Sequence, residues 1–300
     1  MACYIGIEGG GTKFVCAYGS GPDDLQARTV IRTESPSSTM QNLFEYIHQV
    51  KSKTNIDGIG ASIFGPLDLD PHSATYGHVT TTPKLEWVNF DFAGALRREF
   101  NCPIGFDTDV NAAVISEYRW GAAKNLSDVL YLTVGTGIGG GAIVNHQLVH
   151  GAMHPEMGHL LIPKLKEDDF SGVCQYHGAC LEGLASGPSL KERWKVKSAL
   201  DLPENHIGWE WEASYLGMAL ANYTMVLSPK KIIIGGGVMR QDHLLPRVRR
   251  HLIEHLGGYI QNPTVIKGLD SYVVKPGLEE NAGVLGAIAL AQLASNNLKS

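Results

Sequence analysis

The sequence predicts an α/β fold of two domains around a cleft, on three observations. Short apolar, β-like runs alternate with helical 3.6-residue patterns along the whole chain, which is the signature of α/β architecture. Two segments, residues 3–18 and 129–144, share one design: a strand, a glycine-rich turn and a returning strand. The chain therefore reads as two versions of one unit. No linker or low-complexity stretch separates them, so the two domains share a continuous fold across the 300 residues.

Composition narrows the function classes. Apolar residues make up 44% and charged residues 18%, enough for a full core and against disorder. The formal net charge is −5 and no Lys/Arg block stands out, so nucleic acid and anionic membrane are poor partners. The N-terminus enters a strand pattern directly, and no secretion leader is expected there. Residues 282–294 form the most apolar run near the C-terminus, interrupted by Gln292. They fall short of the roughly 20 residues that span a bilayer, and a core helix is expected. Cys3, Cys16 and Cys102 are scattered through apolar sequence, as buried thiols in a reducing, cytoplasmic compartment would be.

The first strand leads into Glu8-Gly9-Gly10-Gly11-Thr12-Lys13. Residues without a Cβ let backbone N–H groups approach phosphate oxygens, while Thr and Lys add a hydroxyl and a charge. The Gly-Lys-Ser/Thr ending of a P-loop is missing and no helix follows, and a tight hairpin without ligand is the alternative. A helix is expected over 39–50 after a Ser35 cap, then a strand over 56–64 ending in Gly65-Pro66. Trp87 sits in a polar loop that faces either solvent or substrate. A helix over 92–100 and a strand from 103 lead into Asp107-Thr108-Asp109-Val110-Asn111, with helix from 114 to 120. Carboxylates between a strand's C-terminal edge and a helix N-terminus stand where α/β sheets bind ligands. One can serve as a base, or an Asp can simply cap the helix.

The second hairpin turns at Gly135-Thr136-Gly137-Ile138-Gly139-Gly140-Gly141. Its spacing matches a dinucleotide fingerprint formally, but a strand pattern follows where that motif needs a helix, with no acidic residue about 20 positions on. Two phosphate-gripping hairpins would instead suit a nucleoside triphosphate. Between His154 and Gly187, Cys174-x2-His177-x2-Cys180 with an upstream histidine has zinc-site spacing. Helices are expected over 189–197, 212–227 and 244–256, with Trp209 and Trp211 in a connection. A buried strand ends in Gly235-Gly236-Gly237-Val238, placed to approach a base or ribose. The small residues after Asn281 let a final helix pack closely.

Taken in order, these motifs resemble the ROK family of sugar kinases, within the actin/hexokinase/heat-shock-70 ATPase class. The likeness covers nearly the whole chain, and Cys-x2-His-x2-Cys-Leu-Glu-Gly-Leu-Ala-Ser-Gly most resembles the bacterial fructokinase branch. It implies two actin-like (ribonuclease-H-like) domains flanking an active-site cleft, with a zinc-binding loop insertion. Residues 1–113, completed by 278–300, would form the first domain and 114–277 the second. It further implies ATP-dependent phosphorylation of a hexose, D-fructose first and mannose or glucose as alternatives, by a cytoplasmic homodimer. Asp109 would be the general base. Gly10, Gly11, Thr12 and Lys13 would grip phosphate with Gly135, Thr136 and Gly137, and Gly235 to Val238 would meet the adenosine. Glu156, Glu182, His159, Gly65 and Pro66 would face the sugar beside Asp109. Structural zinc would take His159, Cys174, His177 and Cys180, and Mg²⁺ would be placed by Glu8. Two departures stand out: Glu8 replaces the family's usual Asp, and Thr108 replaces the Asn that often precedes the catalytic Asp. A sugar-responsive regulator of the same family would need a helix-turn-helix ahead of the hairpin that begins at residue 3.

Overall fold

A glycine row decides how the first half of the chain packs. The computed structural model describes residues 2–297. It contains two five-stranded sheets and divides into two units. Unit 1 runs to Lys124, takes back Leu148–Pro155, and resumes at Gly277. Its elements are β1 (Tyr4–Gly9), β2 (Lys13–Gly19), β3 (Gln26–Arg32), α1 (Pro36–Lys51), β4 (Gly58–Ile63), α2 (Phe92–Glu99), β5 (Ile104–Thr108) and α3 (Asp109–Arg119). Unit 2 contributes β6 (Val129–Val134), β7 (Ile138–Val144), α4 (Leu181–Ala185), α5 (Gly187–Trp194), α6 (Ile207–Leu227), β9 (Lys231–Gly235), α7 (Leu244–Leu256), α8 (Pro263–Ile266), α9 (Leu269–Tyr272) and β10 (Val273–Val274), while β8 (Gln147–Leu148) edges its sheet. The last helix, α10 (Ala282–Asn297), returns to unit 1.

The sheets run β3-β2-β1-β4-β5 and β8-β7-β6-β9-β10. In each, the hairpin strands pair antiparallel and the next strands add in parallel. The two halves of the chain are therefore one topology used twice, as the paired glycine hairpins predict. Helix α3, which a division after residue 113 would cut, is continuous and belongs to unit 1.

Gly6, Gly60 and Gly105 stand side by side on β1, β4 and β5. A Cβ at Gly6 would approach the Val284 carbonyl oxygen to 2.5 Å, and at Gly60 and Gly105 it would overlap the carbonyls of Ala287 and Leu290. Helix α10, built from small residues, thus lies directly on the sheet backbone and also packs against α3. On the other face, Phe14, Trp87, Phe92 and Phe106 stack in a buried aromatic core with Ile5, Ile7 and Leu43. Trp87 is 1% exposed and its Nε1–H donates to Glu34 O at 3.0 Å, so it faces neither solvent nor substrate.

Other differences from the sequence expectation have local causes. Ser35 caps α1 as expected, with Pro36 at its first position. Strand β3 leaves no alternating pattern in the sequence, because it is an exposed edge with almost no buried face. Trp209 and Trp211 lie inside α6, where burial on nearly all sides erases the amphipathic period. Helix α5 stops at Trp194, with Lys195 in the left-handed conformation at its end. No described helix is long and apolar enough to cross a membrane.

Candidate active site

In unit 1, two carboxylates stand at the C-terminal ends of β1 and β5, the parallel strands on either side of β4. Glu8 is the last residue but one of β1, and Asp109 opens α3 directly after β5. The helix cap is Thr108, whose Oγ1 accepts from the Asn111 N–H at 3.2 Å. Asp109 is therefore not needed as a cap, and its carboxylate accepts the Val110 N–H at Oδ1 at 3.0 Å. Burial pushes the Asp109 carboxyl up to about 6. Glu8 is pushed up to about 7, first by burial and then by the Asp109 charge, with Arg28, Lys13 and the Val284 N–H pulling the other way. Two buried carboxyls, one raised further by the charge of the other, form a donor set short of positive charge. Glu8 lies against Gly283, where any side chain would collide with its carboxylate.

Beside Glu8, the first hairpin closes through Gly10 N–H to Lys13 O at 2.9 Å, and Thr33 Oγ1 donates to Gly10 O at 2.9 Å. Gly11, Thr12 and Lys13 are exposed. The turn is thus rigid at its base and open at its tip, where a phosphate would have to sit.

The sequence reading missed a cluster next to Asp109. Buried Asp107 accepts from the Thr108 N–H and from Asn111 Nδ2, both at 2.7 Å, and pairs with His150 Nε2 at 3.0 Å. The Asp107 hydrogen bond raises the His150 pKa. The only sequence signal was that Asp107 and Asp109 share one strand parity, since His150 comes from 43 residues further on. From the same segment, His154 Nε2 accepts the Leu67 N–H at 2.9 Å, which fixes a neutral ring, and burial lowers its pKa. His154 also packs against Gly65, which with Pro66 follows β4.

In unit 2, the second hairpin closes through Gly135 N–H to Gly137 O at 2.9 Å. Gly187 N–H, at the head of α5, donates to Gly135 O at 2.8 Å. Glu182 on α4 accepts the Ile138 N–H at 2.9 Å, and a Cβ on Gly137 would come within 2.6 Å of the same carboxylate. Glu182 therefore braces the glycine hairpin with one oxygen. Gly236 adopts φ +94° against Val134, and the Gly237 nitrogen is the nearest atom to a Cβ placed on Gly135, at 3.9 Å. The turn at 235–237 and the Gly135 turn thus lie side by side.

The zinc-type residues converge. One ligand atom from each of His159, Cys174, His177 and Cys180 lies within 4.8 Å of the others. Cys174 Sγ is 3.7 Å from both His159 Nδ1 and His177 Nδ1, and Cys180 Sγ is 3.6 Å from His159 Nδ1. Ligands bound tetrahedrally at zinc's bond lengths stand roughly 3.3–3.8 Å apart, so this donor set fits zinc. Cys180 is also the residue that starts α4, which carries Glu182. Glu156 precedes the 157–159 turn, and the His159 N–H donates to Glu156 O at 3.0 Å. That turn presses so closely on β7 that a side chain at Gly158 would overlap Ile138 O.

A profile of the ROK family matches residues 4–294. The chain belongs to the ROK family. It is 40% identical to a fructokinase of Pediococcus pentosaceus, over 97% of this chain and 98% of that one. It is 38% identical to a fructokinase of Zymomonas mobilis, over 97% and 96%. Among solved structures, the ROK hexokinase of Thermus thermophilus superposes with a TM-score of 0.74 at 25% identity, covering 98% of this chain and 99% of that one. The doubled topology is thus the ROK fold, and the glycine hairpins, Asp109 and the zinc-type cluster all lie within the ROK-matched span.

Proposed function

We propose that this ROK protein is an ATP-dependent hexose kinase that converts D-fructose to fructose 6-phosphate. The observation that carries the reading is Asp109: a carboxylate left free by its own helix cap, mostly out of water, and lifted to about 6. A base with such a pKa is ionised at neutral pH yet still takes a proton readily. The sugar O6 forms a bond to the γ-phosphorus while the bridging bond to the β-phosphate breaks. Asp109 receives the hydroxyl proton and ADP leaves. Phosphoryl transfer asks the protein for in-line positioning and charge neutralisation rather than covalent help.

The other residues take roles that suit this step. Gly10, Gly11, Thr12 and Lys13 hold phosphate oxygens at one hairpin, and Gly135, Thr136 and Gly137 at the other. Gly235, Gly236, Gly237 and Val238 bound the nucleotide. Glu156, His159, Gly65 and Pro66 orient the sugar, while Glu182 acts on it from the hairpin that it braces. The charge-poor pair of Glu8 and Asp109 suits a divalent cation, and Mg²⁺ held at Glu8 would neutralise phosphate charge. Zinc on His159, Cys174, His177 and Cys180 leaves no open coordination position, so its role is structural. Fructose is preferred to mannose or glucose on the strength of the fructokinase relatives, which match end to end. The reading includes a cytoplasmic homodimer, and the unpaired Cys3, Cys16 and Cys102 support the reducing compartment.

The test is a coupled ATP-consumption assay over fructose, mannose and glucose, with and without Mg²⁺. Fructose should give the highest kcat/KM and Mg²⁺ removal should abolish turnover. Failure to phosphorylate any hexose would refute the reading.

A further inference from the structure

Lys84 stands over the first phosphate hairpin with no partner of its own. It belongs to the loop that follows Val79, and that loop is anchored firmly. Trp87, three residues on, is buried and stacks on Phe14, with ring centroids 5.9 Å apart. Phe14 directly follows Lys13 of the hairpin. The Trp87 N–H donates to Lys84 O at 2.8 Å, and the Lys84 N–H donates to the hydroxyl of buried Thr82 at 3.4 Å. From this fixed base the side chain runs across the hairpin tip, so that Cε lies 3.5 Å from where a Cβ on Gly11 would stand. Van der Waals contact at that position places the ammonium group at the mouth of the turn.

Among the described residues, Lys84 makes no ion pair and its Nζ makes no hydrogen bond, although the residue is half-buried. A lysine withdrawn from water without a counter-charge is unfavourable unless an anion completes the site. The hairpin's own lysine does not fill this role alone, because the Lys13 charge already acts on Glu8. An ammonium offers three donors and no acceptor, which matches phosphate oxygens better than sugar hydroxyls.

We propose that Lys84 is a catalytic residue that contacts the transferring phosphoryl group from the side opposite the backbone of Gly10–Lys13. The proposal rests on the kinase reading above and adds a charge that none of the sequence motifs contains. In the transition state, charge on the γ-phosphoryl oxygens would be met by backbone N–H groups of the hairpin and by Nζ of Lys84. The bond changes are those already given, with no proton passing through Lys84.

The test compares Lys84→Met and Lys84→Arg with wild type, using the full chain with its metals. Affinities for ADP and for a non-hydrolysable ATP analogue are measured by calorimetry, and kcat and KM for fructose by coupled assay. Lys84→Met should weaken the analogue about tenfold more than ADP, since a charge-assisted hydrogen bond to one phosphate is removed. It should lower kcat by about 10²-fold, in the range for deletion of one transition-state donor. The KM for fructose should hold, and Lys84→Arg should restore part of kcat. Equal loss for both nucleotides, a loss confined to fructose, or an unchanged kcat would overturn the proposal. Lys84→Gln serves if the methionine variant does not fold. Wild-type protein that binds the analogue but phosphorylates no hexose would defeat the kinase reading, and the nucleotide ratio would still decide the role of Lys84.

Discussion

Replacing Asp109 by Asn should make the protein inactive and more stable at once. The Asp109 carboxyl rises from 3.8 to about 6 on folding because it is buried. At about 1.4 kcal/mol per pH unit, keeping it ionised costs the folded protein about 3 kcal/mol. The sign follows from proton binding: between 3.8 and about 6 the folded state holds the proton and the unfolded state does not. Stability therefore falls as pH rises through that window, and the full cost applies above it. Asn keeps the shape and can still accept the Val110 N–H, without the charge. Removing that charge also relieves Glu8, which Asp109 helps to push up to about 7. Calorimetry of the ligand-free protein at pH 8 should show Asp109→Asn melting several degrees above wild type, by roughly 2–4 °C per kcal/mol for large domains. Below pH 3.8 the gain should vanish. The same variant should lose about 10²–10⁴-fold in kcat, the usual contribution of a general base. Equal or lower melting at pH 8 would refute the burial argument, and wild-type turnover would refute the base assignment.

Two further expectations concern metal and packing. Metal analysis should find zinc in wild type and none in Cys180→Ser, and the zinc-free protein should melt lower and bind fructose more weakly by calorimetry. Unchanged fructose affinity in verified zinc-free protein would remove the link from Cys180 through α4 to the residues proposed to face the sugar. Gly60→Ala should destabilise by at least the usual overpacking cost of about 1–3 kcal/mol, because the new methyl meets the backbone of α10. Gly237→Ala, where a Cβ would find no atom within 4 Å, is the control, and similar denaturation curves for the two would refute the close-approach reading.

Much of this architecture was legible because its signals are local. Strand–glycine turn–strand is a contiguous pattern, and it located both hairpins. Helix α7 appeared at its full extent because one apolar face, Leu244, Leu245, Val248, Leu252 and Leu256, is buried against a polar remainder. The Cys/His spacing named four residues that the fold does bring together. What stayed hidden depended on contacts distant in sequence or on a missing contrast. Asp107 finds His150 only when the 148–155 segment returns to unit 1. Thr108 rather than an Asp caps α3, a choice among adjacent good caps that local propensity does not resolve. Strand β3 shows no buried face to alternate against, and α6 shows almost no exposed one. Trp87 carries the look of a loop aromatic, yet its partners Phe14 and Phe64 lie far off in sequence.

The glycine row on β1, β4 and β5 also says something about birth order. The helix that covers it is translated only after the strands of both sheets, so the first sheet must wait, with one face uncovered, while residues 125–276 are made. Unit 2 holds all of its strands and helices before α10 appears, and it can settle first. The unit that carries Asp109 is thus begun before unit 2 and completed after it. Until α10 arrives, the row of bare backbone at Gly6, Gly60 and Gly105 has no helix to cover it.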